Sequence, residues 1–306
     1  MDRVTGHIIG TTRRGIGPAY ADKARRLGIR AVDMLDISRM GQYLIDRLKI
    51  GTQQGEVKAD ELDIMRDEMQ SFLHAANRLA PMLADTIASI HQAMDSDKNI
   101  LIEGAQGTLL DIDMGTYPFV TSSHPTAGGI AAGLGVPVQK IDRLMGVFKA
   151  YTTRVGEGPF PTELNDDVGR RLQERGAEFG ATTGRKRRCG WFDAVAAAYA
   201  CRVNGFTELA LTKLDVLDKF DTIKVCTAYE LDGIRLPGFS AAVHQLDRVT
   251  PVYTELAGWQ TDTSGLKSFR ALPPEALGYT QRLEELLQVH FAKVSVGAER
   301  SQILAL

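Results

Sequence analysis

The sequence predicts an α/β fold with a largely parallel central sheet flanked by helices, and three observations carry that prediction. Short apolar runs of strand length alternate with longer segments at helical spacing over most of the 306 residues. Glycine-rich loops recur where the apolar runs end, and Gly or Pro marks the ends of the helical segments. In such folds ligands sit on loops beyond the carboxyl ends of the strands.

Taken in order, "GHIIGTTRRGIGPAYADKARR" reads as a short strand, a glycine-rich loop and a helix. From Val57 to Met94 the residues Leu62, Met65, Met69, Phe72, Leu73, Leu79, Met82, Leu83, Ile87 and Ile90 recur at helical spacing, with Pro81 as a break between two helices. That pattern points to packing, not chemistry. "KNILIEGAQG" reads as a buried strand ending in a glycine loop, and "LMGVFKAYTTRVGEGPFP" repeats the theme with a longer strand. The alanine-rich "GWFDAVAAAYACRVNG" is predicted as a helix and "ELALT" as a strand after it. "TIKVCTAYELDGIRL" predicts a hairpin turning at Asp232 and Gly233, the pair that suits a type I′ turn. A helix after Pro274 and a strand at about 292–295 close the chain.

With 44% hydrophobic residues the chain has material for a large core, and no linker, repeat or low-complexity tract divides it, so one domain is expected. The 36 basic and 38 acidic residues give a net charge of −2, which argues against a nucleic-acid coat. Cys189, Cys201 and Cys226 are too scattered for a zinc site or a disulfide framework and fit a reducing cytoplasm. No run of about 18 apolar residues suggests a membrane span, and the start has no signal-peptide core.

Positive charge is local. "EFGATTGRKRRCGW" places two threonines and a glycine before Arg185, Lys186, Arg187 and Arg188. Read blandly, this is a solvated charged turn. Its neighbours point instead to a site for a multiply charged small molecule: glycine and threonine offer N–H and hydroxyl donors, and arginine offers a planar fork. In "IGTTRRGIGP", Gly10, Gly15 and Gly17 allow close backbone approach and Thr11 and Thr12 carry hydroxyls suited to phosphate, a pattern that ligand-free turns share. "EGAQGTLLDIDMGTYPFVTSS" offers Gln106 and the hydroxyls of Thr121, Ser122 and Ser123, while Asp111 and Asp113 are read as structural. In "LTKLDVLD", Asp215 is placed to accept two N–H donors from the Watson–Crick edge of guanine, with the Lys213 stem across the ring; the alternative is a surface pair at a strand end.

Those four stretches and "KAYTTRVGEGPFPTE", five in one order, together with "VYTELAGW" and the terminal "SVGAER", closely resemble the adenylosuccinate synthetase family over essentially the whole chain. The resemblance implies a P-loop-NTPase-like scaffold and a cytoplasmic purine enzyme that uses GTP to join IMP and L-aspartate through 6-phosphoryl-IMP. Residue by residue, it implies IMP contacts from Thr12, Arg26, Gln106, Thr121 and Arg185. Ala181, Thr182, Thr183, Gly184, Arg185, Lys186 and Arg187 match the aspartate loop. Arg187, Lys213, Leu214, Asp215, Ser295, Val296 and Gly297 match GTP contacts. Arg26 matches the arginine that reaches the neighbouring subunit's IMP, which implies a twofold homodimer.

The family pattern also begins with a phosphate loop that carries a base, a lysine and Mg²⁺ ligands, followed by a histidine acid. None of the 30 glycines here is followed by lysine. The expectation is therefore an amino-terminally truncated or split family member that binds nucleotide but turns over poorly by itself and aggregates through open sheet edges. A non-catalytic IMP- and guanine-binding remnant, or the carboxy-terminal part of a split enzyme, is the alternative. His124 replaces a family asparagine and is not expected to substitute for the acid. Arg13 replaces a family glycine, with either strain of about 1–2 kcal/mol or added phosphate affinity as the consequence. His7, His74, His91, His244 and His290 are read as structural or surface residues.

Overall fold

The computed structural model describes residues 3–4, 7–8, 10–11, 14–55, 57–180 and 184–305, with backbone alone at 3, 4, 7, 8, 59 and 305. Two compact units emerge, residues 1–14 with 102–306 and residues 15–101.

The larger unit opens with a two-strand hairpin, β1 (Arg3–Val4) and β2 (His7–Ile8). The smaller unit is helical: α1 (Ile16–Arg25), α2 (Ile37–Gln53), α3 (Leu62–Leu79) and α4 (Thr86–Asp95), the last two parted by a 3-10 turn at Ala80–Met82. Asp36 caps α2 by accepting from the Arg39 N–H at 2.9 Å, and Asp85 caps α4 by accepting from the Ala88 N–H at 2.9 Å. The break at Pro81 is where proline removes a helical donor.

In the larger unit follow α5 (Gly128–Leu134), β3 (Met145–Lys149), β4 (Thr152–Arg154), α6 (Asp167–Arg175), β5 (Arg188–Gly190), β6 (Phe192–Asp193), α7 (Ala194–Asn204) and β7 (Glu208–Thr212). Then come β8 (Thr222–Leu231), β9 (Ile234–Arg235), α8 (Phe239–Ala242), β10 (Thr250–Ala257), α9 (Pro274–Leu287), β11 (Phe291–Ser295) and β12 (Ile303–Ala305). Strand β7 is central, parallel to β3 on one side and to β11 on the other, with β12 antiparallel at the far edge. As a strand covered on both faces it is almost continuously buried. A second sheet orders β10, β8 and β6, and β4 pairs with β5 separately.

α7 forms as its composition predicts: the Asp193 carboxylate accepts from the Ala196 N–H at 3.0 Å, and Gly205 ends the helix at φ 64°. Asp232 and Gly233 both take positive φ and close the β8–β9 hairpin. Leu209, Leu211, Leu214, Leu283, Phe291, Val294 and Val296 are fully buried in one cluster between the sheet and its helices. The three cysteines are free and buried. No helix among the described residues is long and apolar enough to cross a membrane.

Three expectations need correcting. The sheets are mixed: β9 and β10 run antiparallel to β8, and β12 runs antiparallel to β11, because short returns reverse the chain. "KNILIEGAQG" forms no strand and is not buried, with Leu101 92% exposed. A strand needs a neighbour for its backbone N–H and C=O groups, and no described strand pairs with this segment. From α3 through the 3-10 turn to α4 the apolar residues keep the helical period, but Met65, Phe72, Leu79, Met82 and Ile87 are exposed, while Leu62, Met69, Leu73, Leu83 and Ile90 are half-buried. Periodicity fixes which face is apolar, not whether that face is covered.

Candidate functional site

The carboxyl ends of the three parallel strands carry the polar groups of the site. Lys149 ends β3, opposite Thr212, which ends β7; Lys213 follows, and Ser295 ends β11 one residue past the Val294–Leu211 pair. Lys213 holds a left-handed backbone at φ 61°, which costs a non-glycine residue about 1 kcal/mol and turns its side chain out of the strand line. Its ammonium reaches back to the Gly176 carbonyl at 2.5 Å.

The centre of this arrangement is Glu178, completely buried three residues beyond α6. Lys213 Nζ lies 2.7 Å from its Oε1, Arg187 Nη1 2.6 Å from its Oε2, and Lys149 Nζ 2.9 Å from both oxygens. The Tyr151 hydroxyl donates to Oε1 at 2.6 Å. Burial alone would raise the Glu178 pKa. Hydrogen bonds from Lys213, Tyr151, Arg187 and Lys149 outweigh it and hold the carboxyl at about 2. Burial pulls the Lys149 ammonium down against the attraction of Glu178, and neighbouring Lys213 and Arg187 add to that pull. Burial first, and Glu178 second, push the Tyr151 phenol well above its ordinary range.

Helix α6 braces both flanks of the cluster. Gln173 Nε2 donates to the Arg187 carbonyl at 2.8 Å, while Arg175 Nε and Nη2 donate to the Val216 and Asp215 carbonyls at 2.9 and 3.0 Å. The Arg187 N–H donates to the Glu178 carbonyl at 2.9 Å, beside a bridge between Phe179 and Lys186. Arg185 and Lys186 are exposed, and Gly184 takes φ 62°. Arg188 is structural: its guanidinium grips Glu163 at 2.7 and 2.5 Å and the Gly156 and Gly158 carbonyls at 3.2 and 2.9 Å. The run of four cations is thus split by its strand geometry.

In the guanine segment, Leu214 and Val296 are fully buried and act as packing anchors. Asp215 Oδ1 is buried without a hydrogen-bond partner, and burial pushes this carboxyl above its ordinary value against the pull of its own backbone N–H, with the charge of Asp218 adding to the rise. Such an orphaned acceptor calls for a donor. The Ser295 hydroxyl donates to the Gly297 carbonyl at 2.7 Å, and a Cβ on Gly297 would lie 2.2 Å from Gln302 Oε1.

The loop carrying Gln106 and Thr121 is fastened separately. Asp111, fully buried, accepts from the Asp113 and Met114 N–H groups at 3.0 and 3.2 Å and from the Thr126 hydroxyl at 2.8 Å. Burial works against ionisation there, but these hydrogen bonds and that of His124 hold Asp111 at about 2. The Thr121 N–H donates to the Leu110 carbonyl at 2.8 Å, and its hydroxyl lies 3.5 Å from that of Ser123. Gln106 is exposed at φ 62°. His124 Nδ1 is 3.2 Å from Asp111, so this histidine belongs to the loop's scaffold.

From β4, Arg154 Nη2 donates to the Thr116 hydroxyl at 2.9 Å and to the Phe119 carbonyl at 3.1 Å, tying this loop to the sheet that carries Arg188. Burial, then repulsion from Arg188, lowers Arg154 to about 10. Gly10, at φ 75°, lies against Gly156 and Glu157 in the segment that follows β4.

Arg26 belongs to the smaller unit, exposed at the left-handed end of α1 with φ 63°. Thr12, Arg13, Ala181, Thr182 and Thr183, and the side chain of His7, lie outside the described residues. Among the described residues no three His, Cys, Asp or Glu side chains gather to hold a metal ion. Sequence reasoning missed Glu178, Lys149, Tyr151, Gln173 and Arg175. The available signal for Glu178 was an acidic residue directly ahead of the cationic loop.

The adenylosuccinate synthetase family profile matches residues 2–304. The adenylosuccinate synthetase of Crocosphaera subtropica is 52% identical over 298 residues, covering 97% of this chain and 67% of that protein. That of Nostoc sp. is 50% identical over 308 residues, covering 99% of this chain and 68% of that protein. The chain therefore spans about two thirds of the length of these curated relatives. Among solved structures, fully ligated adenylosuccinate synthetase from Plasmodium falciparum superposes with a TM-score of 0.92 at 37% identity, over 98% of this chain and 71% of that one.

Proposed function

The chain belongs to the adenylosuccinate synthetase family, carbon–nitrogen ligases that join IMP to aspartate for AMP synthesis, and we propose that its guanine and aspartate sites meet at the carboxyl ends of β3, β7 and β11. One observation carries this reading. Arg187, from the threonine-rich cationic loop, and Lys213, from the Lys-Leu-Asp turn, converge on the same buried carboxylate at 2.6 and 2.7 Å.

Each group then has a task. The orphaned Asp215 Oδ1 accepts from the guanine N–H edge, and the Lys213 stem lies along the ring. Ser295 and Gly297 flank the same base from the neighbouring strand end, with Val296 packed beneath them and the Gln302 side chain close against Gly297. Arg187 and Arg185 hold the carboxylates of aspartate together with the nucleotide oxyanions, their charges offsetting the crowding of anions. Gln106, Thr121 and Thr12 bind IMP, and Arg26 reaches the IMP of a second copy in a homodimer.

The γ-phosphoryl of GTP passes to the 6-oxygen of IMP, and the aspartate amine then displaces phosphate. The described groups contribute positioning and charge neutralisation, which dominate phosphoryl transfer. The setting is the cytoplasm, and Mg²⁺ accompanies the nucleotide.

Titration calorimetry with GTP and ITP tests the assignment, because ITP lacks the guanine amino group. Asp215→Asn is expected to weaken GTP at least about tenfold, or about 1.4 kcal/mol, and to shrink the preference over ITP. An unchanged preference removes Asp215 from base recognition.

A further inference from the structure

We infer that Glu178 is a positioning residue that couples the guanine site to the aspartate site, by serving as the common anchor of Lys213 and Arg187. The inference rests on the assignment of those two cations above. It adds a residue that the site assignment does not itself supply and that is expected to touch no substrate.

The geometry gives Glu178 little other purpose. A carboxylate has about four acceptor positions, and here they are filled by three cations and a phenol instead of neutral backbone donors. The three cations arrive from separate segments: Lys149 from the end of β3, Lys213 from beyond β7, and Arg187 from the loop before β5. Without the carboxylate these like charges would repel one another, and each would leave its present position. Lys149 grips both carboxylate oxygens and the Thr153 hydroxyl at 2.7 Å, which fixes where the carboxylate sits.

Helix α6 reinforces the same link from the backbone side. Gln173 holds the Arg187 carbonyl, Arg175 holds those of Asp215 and Val216, and Gly176 receives Lys213. The short span 173–178 therefore contacts both binding segments, and a change at one has a direct mechanical route to the other.

Calorimetry on the full chain separates positioning from general stability, with GDP, IMP, and aspartate in saturating IMP as titrants. Glu178→Gln keeps shape and removes charge. It is expected to weaken GDP and aspartate each at least tenfold while IMP changes less than threefold. Glu178→Asp, which restores the charge with shorter reach, should recover part of both losses. As a better-tolerated variant, Lys149→Met should loosen the carboxylate and weaken GDP and aspartate together by threefold or more.

Parent-like GDP and aspartate affinities in Glu178→Gln overturn the inference. So does a parallel loss of all three ligands with a lowered melting temperature, the signature of a purely structural residue. If Glu178→Gln does not fold, parent-like binding in Lys149→Met overturns it instead. Failure of the parent chain to bind GDP or aspartate refutes the site assignment itself, a result separate from any effect of the variants.

Discussion

Two buried carboxylates organise two parts of the larger unit, and they differ in the company they keep. Asp111 is surrounded by neutral donors, the backbone N–H groups of Asp113, Met114 and Thr126 and the Thr126 hydroxyl, with a half-exposed His124 alongside. Glu178 is surrounded by three cations from three segments. Both carboxyls are held at about 2. Acidity alone thus does not separate a scaffold from a site. The partners do: neutral donors close a loop on itself, whereas converging cations are groups that other anions also attract.

The contrast is open to tests of decreasing size. Asp111→Ala leaves three backbone donors and a buried hydroxyl without their acceptor, and is expected to cost about 3 kcal/mol in urea unfolding. GDP affinity in the folded fraction should stay within threefold of the parent, and a specific loss of GDP binding would erase the distinction between the two hubs.

Acid should act on both hubs. Their folded pKa values lie below the ordinary carboxylate range, so each contributes stability that is complete above pH about 4–5 and lost as pH falls toward 2. The contribution is about 2 kcal/mol for Asp111 and about 3 kcal/mol for Glu178. A series of urea midpoints from pH 6 to 2 reads the sum. Asp111→Asn should flatten part of that slope while leaving the part that belongs to Glu178.

Tyr151→Phe removes a neutral donor from Glu178 and leaves its three cations, so a loss of about 1 kcal/mol is expected with GDP affinity within threefold. A tenfold loss of GDP would mean that the phenol, not the cations, positions the site. The smallest effect belongs to His124→Asn. The ring is half exposed and its bond to Asp111 is 3.2 Å, so a change below about 0.5 kcal/mol and an unaltered pH dependence of binding are expected.

Much of the fold was legible because local chemistry is explicit in particular residues. Asp193 and Gly205 bracket α7, Asp232 and Gly233 force the hairpin, and the apolar run "ELALT" is the central strand. Lys213 and Asp215 were legible as a pair because they follow that strand directly. Glu178 was not, since a single glutamate between Ala177 and Phe179 has no pattern of its own. Its three cationic partners lie 9, 29 and 35 residues away. Helices α3 and α4 show the converse limit, where a correct period was read as burial that the described structure contains only in part.

The sequence by itself determined the elements, their caps and turns, and the residue types available for binding anions and guanine. It could do so because φ/ψ preferences and helical or strand periodicity act over a few residues. Only the tertiary structure decided that Lys149, Arg187 and Lys213 share one carboxylate, that Arg188 turns away to Glu163, and that Asp215 is left with an unpartnered oxygen. Those outcomes depend on parallel strands bringing distant segments to the same end of a sheet, where Coulomb energy varies with distances that no local pattern encodes.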